Sequence, residues 1–258
     1  LLYYQGKDFP KAATWAARYL QENGTHADMR WLLIRAQYLA NDYASAAREL
    51  RADVDAGLSS GAAPPLDRVQ LLANCYTKLG DNAGYVYALE ALLTFYPKKE
   101  YWADAIRRVE AKPGFAERLA LDALRLRQAT GVLSAGADYA AMAELALAAA
   151  LPAEAKRVAD QGLASGALTT GTDADRQKRV RDTAARQVAE DQKQLPQSVK
   201  AATAAPNGTA LVNVGFVYVS DGQFDQGIAL MEQGMQKGGL KRPDEAKLHL
   251  AIAYLAAG

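Results

Sequence analysis

The stretch that most restricts how this chain can fold is residues 211–234, LVNVGFVYVSDGQFDQGIALMEQG. Its first part, 212–219, is rich in β-branched and aromatic residues and on propensity alone reads as a strand. Spacing overrides that preference. Leu211, Val214, Gly215 and Tyr218 fall at i, i+3, i+4 and i+7, one face of a helix, and Asp221-Gly222 supplies a turn directly behind them. A second stripe, Ile228, Met231 and Met235 with glycines at 227 and 234, predicts a second helix lying close against the first. The unit is a helix, a tight turn and a helix.

The same register runs through the rest of the chain. Ala12 and Ala46, the small residues of two such second helices, lie 34 residues apart, and Ala155 and Gly227 lie 72 apart, two periods. This gives units 1–26 (second helix only), 27–65, 66–99, 100–135, 136–170, 171–206, 207–242 and 243–258 (first helix only). The expectation is a single all-α array over 1–258 that begins and ends mid-repeat. Asn23-Gly24 ends a helix and Thr25 is placed to begin the next turn. SSGAAPP at 59–65 is a short insertion, after which Leu72, Ala73, Tyr76, Gly80, Leu89 and Pro97 restore the pattern, with Tyr85 in the small slot. The unit at 100–135 is the weakest, because Pro113-Gly114 divides it and the small-residue pairs are missing. In the unit at 171–206, charges of both signs surround a narrow stripe of Val180, Ala184 and Val188. It predicts a long, solvated helix, locally less stable than its neighbours and able to act as a hinge.

In order, Leu211, Gly215, Tyr218, Gly222, Gly227 and Met231 match the large, small, aromatic, turn-glycine, small and aromatic positions of a tetratricopeptide repeat, with Met231 in the last aromatic slot. The whole chain resembles that family. The resemblance implies a right-handed α-solenoid of stacked antiparallel helix pairs whose concave face binds another protein. Its alanine-rich texture, with YPKKEYWADAI and GLKRPDEAKLHL, is also similar to proteobacterial envelope proteins of this kind, which implies a periplasmic or envelope location in preference to a cytoplasmic one.

Composition excludes several function classes. Thirty basic and 29 acidic residues leave a formal net charge of +1, so no bulk field favours nucleic acid. The longest uncharged run, 201–220, is broken by Pro206-Asn207-Gly208, so no membrane insertion is expected. One cysteine, Cys75, rules out an internal disulfide, and its register places it against a neighbouring helix as a small buried residue. No metalloprotease, phosphate-loop or serine-hydrolase motif is present, so the reading is a non-enzyme without cofactor or metal.

Stacked helix pairs leave one face of each first helix lining a groove suited to a peptide or a partner helix. The register assigns that face to Trp31, Arg35 and Tyr38; Gln70, Asn74 and Lys78; Glu144; Asn213 and Phe216; and His249. Arg35, Asn74, Lys78 and Asn213 can hold a peptide backbone or carboxylate, while Trp31 and Tyr38 can anchor apolar groups. The expected function is a protein-interaction scaffold. Alternatives are a glycan or small-molecule binding solenoid and the regulatory arm of an enzyme whose catalytic domain lies elsewhere. Self-association through the exposed solenoid ends is a further expectation.

Overall fold

A computed structural model describes residues 1–24, 26–168 and 172–258, without side chains at 172 and 173; the turn expected at Thr25 lies outside them. Among the described residues the chain is all-α, with no strand. Packing divides it into two compact units, Leu1–Phe115 and Ala116–Gly258. The division falls directly after Pro113-Gly114, where the sequence lacks its small-residue pairs. Within each unit, helices pack on their chain neighbours as in an α-solenoid.

Unit 1 contains α1 (Leu2–Gln5), α2 (Phe9–Asn23), α3 (Ala27–Leu39), α4 (Tyr43–Ser60), α5 (Leu66–Leu79), α6 (Asn82–Phe95) and α7 (Lys99–Glu110). One local device recurs at its tight turns: a residue in left-handed conformation followed by an aspartate that caps the next helix. Lys7-Asp8, Asn41-Asp42 and Gly80-Asp81 have φ of +59°, +63° and +68° at the first position. Each aspartate side chain then accepts from the backbone N–H three residues on, at Lys11, Ser45 and Gly84. The cap satisfies an otherwise orphaned donor at the helix start.

The core of unit 1 is built from small and medium residues of α3 to α6, including Ile34, Ala46, Leu50, Val54, Leu72, Ala88 and Leu92. Helix α6 sits so close to α5 that a Cβ on Gly84 would stand 2.3 Å from the ring of Tyr76. Tyr85, four residues after its capping aspartate as Ala12 and Ala46 are after theirs, keeps the slot that is small in those units, and the close approach is made one residue earlier, at Gly84. Tyr85 is half-buried beside the core, with the Arg108 guanidinium 4.2 Å from its ring centroid.

Cys75 is fully buried in this core, and burial pushes its thiol up to about 11. Since the thiolate is the reactive form, the native chain at pH 8 is expected to react with an aromatic disulfide reagent about a hundredfold more slowly than an unfolded control. Reaction at the control rate would place Cys75 on an accessible surface.

Unit 2 contains a 3₁₀ turn (Glu117–Leu119), α8 (Ala120–Ala129), α9 (Gly136–Ala148), α10 (Pro152–Ala164), α11 (Thr172–Ala204), α12 (Thr209–Ser220), α13 (Phe224–Lys237) and α14 (Pro243–Ala257). The polar segment is one helix of 33 residues that continues through Pro196. Proline removes one backbone donor from a helix interior, and Pro196 is on the exposed side of α11. The helix is buried at Gln177, Ala184, Leu195 and Ala202 and half-buried at Val180 and Val188, a stripe that extends the three residues read from sequence by nearly four turns at its C-terminal end. Helices α12 and α13 meet through glycine. A Cβ on Gly215 would lie 2.6 Å from the Gly227 carbonyl oxygen, and one on Gly227 would lie 2.6 Å from that of Gly215. No helix among the described residues is long and apolar enough to cross a membrane.

Candidate functional site

In unit 1 three of the predicted residues come from one helix. Trp31, Arg35 and Tyr38 lie three and four residues apart on α3, one side of a helix. Together with Leu39, and with Asp67 and Leu71 of α5, they line a hollow of about 230 Å³. Trp31 and Tyr38 are half-buried, whereas Arg35 and Asp67 are exposed. The walls are held from behind. Arg68 sets its guanidinium 5.4 Å from the Trp31 ring centroid and is fixed there by Asp53 at 2.6 Å. Tyr38 packs edge-on against Tyr43, whose hydroxyl donates to Asn41. Arg35 lies over the ring of Tyr4 at 5.6 Å.

Further along α5, Asn74 and Lys78 are exposed on the same side as Gln70. Gln70 itself is engaged, donating to the Tyr101 hydroxyl of α7 at 2.9 Å. The hollow thus has apolar walls (Trp31, Tyr38, Leu39, Leu71) and polar groups at Arg35 and Asp67, an arrangement that suits an apolar side chain carried on a polar backbone.

The register missed Leu39, Asp67 and Leu71. Leu71 follows Gln70, so the inward edge of α5 is rotated by one residue from the expected one. Its sequence signal was the i, i+4 spacing of Asp67 and Leu71.

The predicted residues of unit 2 have other surroundings. Glu144 receives Arg176 at 2.7 Å and the amide of Gln177 at 3.1 Å, both from α11. Phe216 is only 7% exposed. It lies between the ring of His249, stacked at 4.5 Å, and the guanidinium of Arg125 at 4.9 Å. The Nε2 of His249 is 3.3 Å from the Asp122 carboxylate, and Arg118 pairs with Glu245 at 2.8 Å. Of this set only Asn213 faces open solvent. The inner side of unit 2 is therefore occupied by its own side chains, with α8 set against α12 and α14.

Arg125 is the centre of that packing. Its Nε and Nη2 donate to the two carboxylate oxygens of Glu154, and its Nη1 donates to Asp122 at 2.6 Å. Burial opposes the charge on both Arg125 and Asp122, but partner contacts outweigh it. Glu154 and Asp122 raise the guanidinium further, and His249 and Arg125 hold the Asp122 carboxyl below its ordinary value.

Among the described residues no three His, Cys, Asp or Glu side chains converge as a metal site. No family model and no curated protein matches this chain, so its functional reading rests on the geometry of these faces.

Proposed function

We propose that the protein is a non-catalytic interaction scaffold of the tetratricopeptide class that binds an extended peptide or a partner helix along α3 and α5 of unit 1. The observation that carries the reading is the hollow walled by Trp31, Tyr38, Leu39 and Leu71, with exposed polar groups at Arg35 and Asp67. Aromatic anchors held rigidly from behind are the usual centres of binding energy at protein interfaces. Arg68 and Tyr43 provide that support here. A glycan reading is weaker, because Arg68 already covers one face of the Trp31 ring. The envelope location belongs to the same proposal.

The test is a selection of peptides that bind the whole chain, followed by titration against the Trp31→Ala variant. Loss of one anchor is expected to weaken the selected peptides by about 2 kcal/mol or more, some thirtyfold. Peptides that bind Trp31→Ala as tightly as the parent would move the site elsewhere.

A further inference from the structure

The inner side of unit 2 already holds a helix. Within α8, Leu121, Leu124, Arg125 and Gln128 stand at i, i+3, i+4 and i+7, the spacing by which an amphipathic helix presents its anchors to a groove. All four are engaged. Leu121 and Leu124 belong to the same buried cluster as Phe216 and Val219 of α12. Arg125 lies over the Phe216 ring and grips both carboxylate oxygens of Glu154, and the Gln128 amide donates to Gln161 of α10 at 2.7 Å. Asp122, and Arg118 of the turn before it, tie the segment to His249 and Glu245 of α14. Leu126 and Ala129, on the other side of α8, are exposed.

Little in the segment itself holds it there. Helix α8 has 10 residues, fewer than the roughly 12–15 below which an isolated helix is marginal in water. No side chain among the described residues caps its start. Gly114 before it and Gly131 after it have φ of +85° and +69°, a region that glycine enters and leaves at little cost. The other helices of unit 2 pack on one another directly: α9 on α10, α10 on α11, α12 on α13 and α13 on α14.

We propose that α8 is the resident occupant of a second recognition face, separate from the hollow of unit 1, and that this face takes in its place a partner helix carrying leucine, leucine and arginine at i, i+3 and i+4. The seat sets that chemistry. Glu154 is 5% exposed, so an occupant without a bidentate donor leaves a buried carboxylate bare, and a guanidinium is the side chain with two parallel N–H groups to offer. The Phe216 ring receives the same cation, and the places of Leu121 and Leu124 need apolar side chains. Asp122 and Arg118 depart with α8, which frees His249 and Glu245 to pair with the newcomer.

Hydrogen exchange on the full chain tests the release. Amides of α8 are expected to exchange at least about tenfold faster than the buried amides of α9 and α12, because α8 opens by itself. A synthetic peptide of residues 117–131 tests the seat. It is expected to bind Leu124→Ala, in which the resident helix is loosened and its ion pairs remain, at least about tenfold more tightly than the parent, since more of the variant has the face open. Arg118→Gln, which cuts one half-exposed ion pair to α14, is the gentler opening should Leu124→Ala not fold. On either chain, methionine in place of the peptide's arginine is expected to weaken binding about tenfold or more. Three results would overturn the proposal: α8 amides that exchange at the rate of those in α12, equal affinity of the peptide for the parent and the loosened chain, or a peptide whose arginine can be replaced without loss.

Discussion

Replacing Arg125 with methionine is expected to destabilise unit 2 by about 3–5 kcal/mol, the range found when one member of a buried ion pair is removed. The size follows from what is left behind. Glu154 is 5% exposed and would lose both donors that Arg125 gives it, while among the described residues Asp122 would keep only His249. Phe216 would also lose the guanidinium packed against its ring. Hydrogen exchange localises the effect. Amides of α8, α10 and α12 should exchange on the order of a hundredfold or more faster, since each 1.4 kcal/mol of lost stability is a factor of ten in the open population. Adding Glu154→Leu to Arg125→Met should restore part of the loss, because the stranded carboxylate goes with it. Exchange rates unchanged in Arg125→Met would show that the buried cluster does not hold α8 in place.

The second large effect concerns the contact between α12 and α13. Gly215→Val is expected to cost about 3 kcal/mol or more, at the upper end of overpacking penalties. Two of the three nearest atoms in its way are backbone: a Cβ there would meet the Gly227 carbonyl oxygen at 2.6 Å and the Met231 amide nitrogen at 2.9 Å, besides the Met231 Cγ at 2.6 Å. The two helices must move apart, which uncovers Met231 and Val219, both now buried. A urea midpoint within experimental error of the parent would mean that the helices do not approach this closely in solution.

Gly215 also shows why so much of the fold could be read from the chain. The requirement for a small residue is local, it recurs with the helix period, and its partner Gly227 is only a turn away in sequence, so spacing alone reveals the pair. The helix positions, the tight turns and the buried Cys75 were legible for the same reason. Tyr85 shows the limit of that resolution. It stands where other units have alanine, four residues after the capping Asp81, and the Arg108 guanidinium set over its ring comes from α7, in the unit where the repeat pattern is weakest.

The candidate site was half legible. Trp31, Arg35 and Tyr38 share one helix, so their common face is a matter of spacing. Phe216 and His249 were placed by the same rule, but what covers them comes from afar. Asp122 is 127 residues before His249, and its ion pairs are invisible in a pattern that reads charged residues as solvated.

The proposed recognition on the open face of unit 1 follows from an inner face of unit 2 that is filled by its own side chains. Hydrogen exchange of the whole chain, with and without a selected peptide, locates the bound face. Added protection is expected in α3 and α5, centred on Trp31 to Tyr38 and Asp67 to Lys78, with α12 and α14 unchanged. Protection confined to α12 and α14, with α3 and α5 unaffected, would contradict it.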